Sequence, residues 1–271
     1  DCLLSRGLGD VYKRQSNKRP YALHNGMIAP LYQLPIKGVL WYQGEGNAKT
    51  RESCVQYEKL LKDLVVTWRA NWGDETMPFL VVQLPGFGKA TEKINTKQNW
   101  PWIRESQKNI EDLDNCQTIC TIDSGMQRDI HPPYKENVGK RLAYAAHKMV
   151  YMQANAPQSP EYSAHTCKGE STLITFKHVG SGLKTGNALL GDELNSQDDV
   201  LGFIVLDNKG NYQRASAQII APNQVCLYHP GISNPKSIRY GWENFPNVNL
   251  YGEAEMPVFP FRTDTFYAFN K

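Results

Sequence analysis

The sequence has 271 residues, of which 41% are hydrophobic and 21% are charged, so it can form one large globular domain or two smaller ones. Its formal net charge of +3 is small for this length. No block of Lys and Arg is interleaved with aromatic residues, which argues against a dedicated nucleic-acid binder. There is no run of about 18 apolar residues, so we predict no membrane-spanning helix.

The first fifteen residues, DCLLSRGLGDVYKRQ, have no hydrophobic period that fits the rest of the chain. They resemble the translation of a sequencing-adapter fragment, and we exclude residues 1–15 from the fold prediction as an artefact. The biological sequence is then expected to open near Ser16 in mid-domain, as the C-terminal part of a longer protein. The six cysteines include no CxxC pair, so they predict neither a zinc site nor a redox pair.

Residues 21–151 predict three strands, each followed by a polar loop and a helix, after a short helix or loop at residues 21–34. The strands cover residues 37–42, 78–84 and 116–122, and the helices cover residues 52–72, a segment from residue 101, and residues 137–151. The first strand carries the apolar, β-prone run Val39–Trp41, as expected of a strand buried on both faces. This alternation predicts an α/β fold with a largely parallel sheet.

The period changes after residue 152. Residues 153–162 contain two prolines and no apolar stripe, so we predict a linker there. Five short strands separated by Gly-rich or Asn-rich turns come next, at residues 172–177, 203–206, 217–220, 224–228 and 237–240. We therefore predict a first domain at residues 16–152 and a small all-β, sandwich-like accessory domain at residues 163–271.

A polar loop follows the first predicted strand. Gly44 and Gly46 free the backbone, while Gln43, Glu45 and Asn47 bring amide and carboxylate groups to one spot. Open α/β sheets place their ligand chemistry where a core strand ends in such a loop. The alternative interpretation is a capped strand-to-helix turn.

The segment DSGMQRDIHP, residues 123–132, follows the third predicted strand and should lie at the same sheet edge. His131 stands two residues after Asp129, in a loop bounded by proline, which suits a general base with an orienting carboxylate. The alternative is a surface loop in which His131 merely caps the next helix.

Between residues 21 and 266, several sequence segments occur in an order along the chain that resembles the sialate O-acetylesterase family of the SGNH-type hydrolase superfamily. These segments are HNGMIAPL (24–31), IKGVLWYQGEGNA (36–48), PFLVVQLPGF (78–87), WIRESQ (102–107), DIHP (129–132), VGKRLA (138–143), IRYGWENFPNVNLYG (238–252) and PFRTDTF (260–266). The resemblance implies part of a flavodoxin-like parallel sheet covered by helices. It also implies removal of acetyl groups from sugar hydroxyls by a serine nucleophile.

By position, the resemblance makes His131 the catalytic base and Asp129 its acidic partner. Many relatives have the aspartate three residues before the histidine, where this chain has Arg128, so a backbone carbonyl could orient the imidazole instead. The loop after the first strand corresponds to the oxyanion side of the family's site. There Gln43 and Asn47 would donate side-chain hydrogen bonds and Gly44 a backbone N–H, while Glu45 would brace the loop.

The resemblance leaves the nucleophile unplaced. The family carries it in a Gly-Gln-Ser-Asn motif well upstream of the WYQGE-like block, whereas this chain has Arg14-Gln15-Ser16-Asn17 at the suspected junction. We interpret Ser16 as a coincidence. Arg104 and Arg128 are candidates for meeting the carboxylate of a sialic acid. Trp100, Trp102 and Trp242 could stack on sugar rings, although core packing is favoured.

The resemblance therefore implies a carbohydrate O-acetylesterase that acts on O-acetylated sialic acid, at the 9-position above all, or on another acetylated glycan. It implies no metal and no organic cofactor, and a secreted or periplasmic location. Without the nucleophile block, the chain on its own is expected to be inactive. The alternatives are an acetylxylan-type esterase and a non-catalytic carbohydrate-binding or structural module.

Overall fold

The computed structural model describes residues 21–91, 93–95, 97–186 and 199–264. The segment predicted to be an artefact and Ser16 lie outside the described residues. Within the described chain, an α/β half with a three-stranded sheet is followed by antiparallel sheets.

The first half contains a parallel sheet with strand order β1-β2-β3. These strands are β1 (Val39–Trp41), β2 (Phe79–Val82) and β3 (Cys116–Ile119), as the sequence predicted. Its helices are α1 (Arg51–Trp72), α2 (Trp100–Lys108) and α3 (Glu136–Met149). All three begin within one residue of the predicted starts, and α1 and α3 end within two residues of the predicted ends.

The middle strand explains the apolar run in the sequence. Phe79 and Val81 pack with α1 and α2 on one face, and Leu80 and Val82 pack with α3 on the other. All four residues of β2 are buried because helices cover both faces.

The prediction that β1 is buried on both faces is wrong. Leu40 pairs with Leu80 and so projects on the α3 side of the sheet, yet its side chain is 62% exposed. In the described part of the chain, α3 contacts β2 and β3, whereas β1 pairs only with β2. The apolar run thus indicated a strand correctly but not its position at the edge of the sheet formed by the described strands.

Helix α1 has clear sequence signals at both ends. The Thr50 side chain accepts a hydrogen bond from the Ser53 backbone, and the Ser53 side chain accepts one from the Thr50 backbone. Gly73 ends the helix in the left-handed conformation with φ of 67°. These caps fix the start of α1 directly after the polar loop that follows β1.

The second half is built from two four-stranded antiparallel sheets and a two-stranded ribbon. This all-β architecture agrees with the sandwich-like fold predicted from the sequence. One sheet has the order β4-β5-β10-β9, the other has β13-β11-β7-β8, and the ribbon pairs β6 with β12. The strands are β4 (Glu161–Lys168), β5 (Ser171–Lys177), β6 (Lys184–Thr185), β7 (Phe203–Leu206), β8 (Tyr212–Arg214), β9 (Ser216–Ala221), β10 (Gln224–Tyr228), β11 (Ser237–Tyr240), β12 (Leu250–Tyr251) and β13 (Phe261–Arg262). The two sheets share one core.

The two halves exchange buried side chains. Cys120 and Ile122, just beyond β3, belong to the core of the β half, and Trp242 belongs to the core around α1 and α2. The Arg262 guanidinium donates to the Glu105 carboxylate at 2.8 and 3.1 Å and lies 4.7 Å from the centre of the Trp102 ring. Side chains of both halves therefore support the first half of the chain. None of the helices in the described segments is both long and apolar enough to cross a membrane.

Candidate active site

The loops that follow β1, β2 and β3 meet at the carboxyl edge of the sheet. A Cβ added to Gly125 would lie 1.9 Å from the Gly86 carbonyl oxygen, so the backbones of the second and third loops touch. The Lys135 ammonium group, at the end of the third loop, lies 4.8 Å from the centre of the Tyr42 ring, directly before the first loop. Neighbouring loops of a parallel sheet thus bring distant parts of the sequence to one place.

Two polar side chains, one from α1 and one from α2, hold the loop after β1 by hydrogen bonds. The Tyr57 hydroxyl of α1 donates to the Gln43 carbonyl oxygen at 2.9 Å. The Gln107 amide of α2 donates to the same oxygen at 2.9 Å and accepts from the Leu84 N–H at 2.8 Å. One glutamine therefore ties the first loop to the end of β2.

Gln43 and Asn47 present amide N–H groups in this loop. The Gln43 side-chain oxygen lies 3.1 Å from the Tyr57 hydroxyl and shares its proton with the Gln43 carbonyl oxygen, and the Gln43 side-chain nitrogen makes a long contact of 3.5 Å with the Asn47 side-chain oxygen. No described residue accepts a hydrogen bond from the Asn47 side-chain nitrogen. Both side chains can therefore donate to a ligand.

Glu45 contributes charge to the loop. Burial, together with the nearby Glu45 carboxylate, raises the pKa of Tyr42 to about 12. The Tyr42 phenol therefore stays protonated at neutral pH and acts as a wall of the site and not as a base.

Gly44 is needed for the shape of this loop. It is buried, its φ is 147°, and an added Cβ would lie 3.0 Å from the Gln107 side-chain nitrogen. We expect Gly44→Ala to lower the free energy of unfolding by about 1–3 kcal/mol, because it strains the backbone and displaces Gln107. Urea denaturation measures this change.

Gly46 provides the matched control for that prediction. It lies two residues further on, is exposed, and an added Cβ would meet nothing within 4 Å. Gly46→Ala is expected to change the free energy of unfolding by less than about 0.5 kcal/mol. Equal effects of the two substitutions would contradict the assigned role of Gly44.

His131 and Asp129 lie in the loop after β3, in a turn closed by one hydrogen bond. The Asp129 Oδ1 atom accepts from the His131 backbone N–H at 2.8 Å, whereas the His131 Nδ1 atom lies 3.9 Å from it. The His131 side chain is 88% exposed. The structure thus places the two residues together, with the carboxylate bonded to the backbone of His131 and the ring facing outward.

A buried ion pair anchors the start of this loop. The Arg141 guanidinium of α3 donates to both carboxylate oxygens of Asp123 at 2.6 and 2.7 Å and to the Cys120 carbonyl at 3.0 Å. Burial alone would lower the pKa of Arg141, but the contacts with Asp123 raise it. Ser124 is buried and donates to Asp123 at 3.2 Å, so it supports the loop and does not face the site.

The interpretation of Arg104 as a carboxylate-binding residue is wrong. Its side chain is completely buried, and the guanidinium donates to backbone carbonyls on two segments. These acceptors are Leu84, Pro85, Glu243 and Asn244, at 2.8–3.1 Å. Arg104 therefore joins the loop after β2 to the β half and cannot reach a ligand, whereas Arg128 is exposed in the loop of His131.

The three tryptophans considered for sugar stacking are packing residues, because Trp100, Trp102 and Trp242 are each at most 7% exposed. Sequence reasoning missed the supporting roles of Tyr57, Gln107 and Arg141. The last two stand inside the segments WIRESQ and VGKRLA, so the segments were noticed but the roles were not assigned.

Metal ligands are not grouped in this site. Within residues 21–264, apart from the segments that the structure does not describe, no three His, Cys, Asp or Glu side chains come together in a way that could hold a metal ion. The residues at the carboxyl edge instead combine amide donors, an exposed imidazole and a nearby carboxylate. That combination suits proton transfer and stabilisation of a developing negative charge.

Residues 9–148 match the protein family described as carbohydrate esterase, sialic acid-specific acetylesterase. The match therefore begins within the fifteen residues that were set aside and includes Ser16. The chain is 30% identical over 155 residues to the sialate O-acetylesterase of Mus musculus, which covers 51% of this chain and 28% of that protein. It is 28% identical over 181 residues to the sialate O-acetylesterase of Homo sapiens, covering 58% of this chain and 33% of that protein.

Among solved structures, the fold is similar to the crystal structure of a carbohydrate acetylesterase from Xanthomonas citri. The TM-score is 0.79 and the sequence identity is 36%, over 90% of this chain and 54% of that chain. The chain thus spans about a third of the length of the curated relatives it matches and about half of the Xanthomonas citri chain.

Proposed function

Since the chain belongs to the carbohydrate esterase family of sialic acid-specific acetylesterases, we propose that it provides the general base and the oxyanion-stabilising donors of the active site of a carbohydrate O-acetylesterase. The substrate is an acetylated glycan, with the 9-O-acetyl group of sialic acid as the preferred target. The observation that supports this proposal is the contact between Lys135, at the end of the loop that carries His131, and Tyr42, directly before the loop that carries Gln43 and Asn47.

In the proposed mechanism, a serine hydroxyl attacks the acetyl carbonyl carbon and His131 takes the hydroxyl proton. The amide groups of Gln43 and Asn47, with the backbone N–H of Gly44, donate to the oxygen that gains negative charge. The proton then passes from His131 to the departing sugar oxygen, which leaves an acetyl-serine. A water molecule activated by His131 hydrolyses that ester and releases acetate.

The nucleophilic serine is proposed to lie outside the 271 residues. Ser124 is buried and donates to Asp123, and the Ser53 hydroxyl donates to the Asn47 carbonyl oxygen at 2.6 Å. Neither is available to act with His131. On this proposal the chain alone releases no acetate, and a polypeptide extended by the upstream coding sequence does. A secreted or periplasmic location stays a prediction.

Acetate release from 9-O-acetylated N-acetylneuraminic acid and from acetylated xylan tests this function. The assay uses the 271-residue chain, its Ser16→Ala variant and the extended polypeptide. We expect release only with the extended polypeptide, faster from the sialic acid. Faster release from xylan would favour the acetylxylan-type alternative, and binding without any release would favour a non-catalytic module. Release by the 271-residue chain that Ser16→Ala abolishes would make Ser16 the nucleophile.

A further inference from the structure

The peptide bond between Gln43 and Gly44 lies at the start of the loop after β1, and its carbonyl group is held by two donors. The Gln43 carbonyl oxygen accepts from the Tyr57 hydroxyl at 2.9 Å and from the Gln107 side-chain nitrogen at 2.9 Å. Tyr57 belongs to α1 and Gln107 to α2, and both residues are buried. The carbonyl group is therefore fixed toward the two helices.

Gln107 can donate in one direction only. Its side-chain oxygen accepts from the Leu84 backbone N–H at 2.8 Å, while its side-chain nitrogen donates to Gln43. A backbone N–H is only a donor and a carbonyl oxygen is only an acceptor, so turning the amide group over would lose both bonds. The Thr118 hydroxyl donates to the Gln107 carbonyl oxygen at 3.0 Å and ties this part of α2 to β3.

The Tyr57 hydroxyl proton is directed in the same way. The Trp41 indole N–H donates to the Tyr57 hydroxyl at 3.1 Å. Since the indole nitrogen is only a donor, the hydroxyl proton has to point elsewhere, and Gln43 supplies its acceptors. Burial raises the pKa of Tyr57 to about 12, so the hydroxyl keeps this proton at neutral pH.

The direction of the Gly44 N–H follows from that of the carbonyl group. The peptide is planar and trans, so the N–H points opposite to the Gln43 carbonyl group and away from α1 and α2. It donates no hydrogen bond to the described part of the chain. Glycine permits positive and negative φ about equally, so without restraint this peptide could turn over. The donors on the two helices oppose that rotation.

We propose, on the basis of the esterase function proposed above, that Gln107 and Tyr57 are positioning residues for the oxyanion. They hold the Gln43–Gly44 peptide in the orientation in which the Gly44 N–H donates to the developing negative charge. A peptide that turned over would present its carbonyl oxygen in place of this N–H and repel that charge. Because the charge develops in the transition state, the chemical step is affected and substrate binding is not.

Acetate release by the extended polypeptide tests the catalytic part of this proposal. Gln107→Met keeps most of the side-chain volume but removes the donor, so we expect kcat to fall by about 10–100-fold with little change in KM. Tyr57→Phe removes the other donor and should lower kcat by a smaller factor, because Gln107 still holds the carbonyl group. It provides the same test if the Gln107→Met variant does not fold.

Gln83→Met is the matched control. Gln83 is also a buried glutamine, and its side-chain nitrogen donates to a backbone carbonyl oxygen, that of Arg104, at 3.1 Å. None of its hydrogen bonds involves the loop after β1. Gln83→Met therefore removes a comparable buried hydrogen bond, but it should leave kcat unchanged.

Nuclear magnetic resonance reports on the peptide itself in the 271-residue chain, independently of activity. Gln43–Gly44 is the one place in the sequence where glycine follows glutamine. Labelling glutamine with ¹³C at the carbonyl carbon and glycine with ¹⁵N therefore gives a single signal from the coupled pair. We expect this signal at the same position in the unchanged chain and in Gln83→Met. In Gln107→Met it should be shifted or split into two, because the peptide is no longer held.

The two measurements separate this proposal from the esterase function. If the unchanged extended polypeptide releases no acetate, the proposed function fails, while the signal still tests whether the donors hold the peptide. Release that Gln107→Met and Tyr57→Phe leave undiminished would overturn the positioning role alone. A signal that stays in place in both variants would overturn it as well. So would an equal loss of kcat in Gln83→Met, since any lost buried hydrogen bond would then have the same effect.

Discussion

Replacing Arg104 by alanine is expected to lower the free energy of unfolding by about 3–5 kcal/mol, which would be the largest stability loss considered for this chain. The substitution removes a completely buried side chain from the junction of the two halves. It also leaves backbone carbonyl oxygens on both segments without their donor.

The geometry of Arg104 explains the size of this effect. Its Nε and Nη2 atoms bond Leu84 and Pro85 at the end of β2, at 2.8 and 3.1 Å. Its Nη1 and Nη2 atoms bond Glu243 and Asn244 of the β half, at 2.8 and 2.9 Å. Water cannot take over these bonds at a site with no exposed surface. Removing the guanidinium leaves the Leu84 and Glu243 oxygens unpaired, whereas the Pro85 oxygen keeps the Trp100 indole N–H and the Asn244 oxygen keeps the Phe87 N–H.

The charge of Arg104 is retained despite its burial. Burial lowers the pKa of Arg104 to about 9, which is still above neutral pH, so the guanidinium remains a cation. Carbonyl oxygens, and not a carboxylate, provide the partial negative charges around it. Arg104→Met keeps much of the volume but removes all donors, so it should still cost more than about 2 kcal/mol if hydrogen bonding dominates.

Urea denaturation followed by tryptophan fluorescence and by circular dichroism measures these losses. The matched control is Arg128→Ala, because Arg128 is exposed and should change the free energy of unfolding by less than about 0.5 kcal/mol. An Arg104→Ala midpoint equal to that of the Arg128→Ala variant would contradict the structural role given to Arg104.

The sequence predicted the elements of the α/β half because their signals are local. A buried strand such as β2 shows a continuous apolar run, and α1 shows both an apolar face and caps at its two ends. The edge position of β1 among the described strands was not predictable, since the exposure of Leu40 depends on where α3 packs. Strand β4 was missed because it is mostly exposed and polar, and therefore has no alternating apolar pattern.

The residues of the candidate site likewise include some that a local sequence signal predicts and some that it does not. Asp129 and His131 are two residues apart, so their pairing could be predicted from spacing, and the structure closes a turn between them. The partners of Arg104 at Glu243 and Asn244 are 139 and 140 residues away, so nothing near Arg104 indicated that they would occupy its donors. Residues such as Gln107, which link two loops, carry no local signature for the same reason.

For catalysis, His131→Ala is expected to lower kcat/KM for acetate release by about 10²–10⁴-fold in the polypeptide that shows the proposed activity. His131 is the described imidazole in the loop after β3, and its exposed ring is free to take a proton from a hydroxyl group. His165→Ala is the matched control, because His165 is an exposed histidine on β4 and should not change the rate. Equal rates for His131→Ala and the unchanged protein would rule out the proposed base.

Asp129 can act on His131 in two ways, and two substitutions separate them. Asparagine keeps the side-chain oxygen that accepts the His131 backbone N–H at 2.8 Å but removes the charge, whereas alanine removes both. Because the ring nitrogen lies 3.9 Å from the carboxylate, we expect the backbone contact to dominate. Asp129→Asn should then reduce kcat/KM by less than about tenfold and Asp129→Ala by clearly more. Equal, large losses would instead show that the negative charge itself stabilises the imidazolium formed during the reaction.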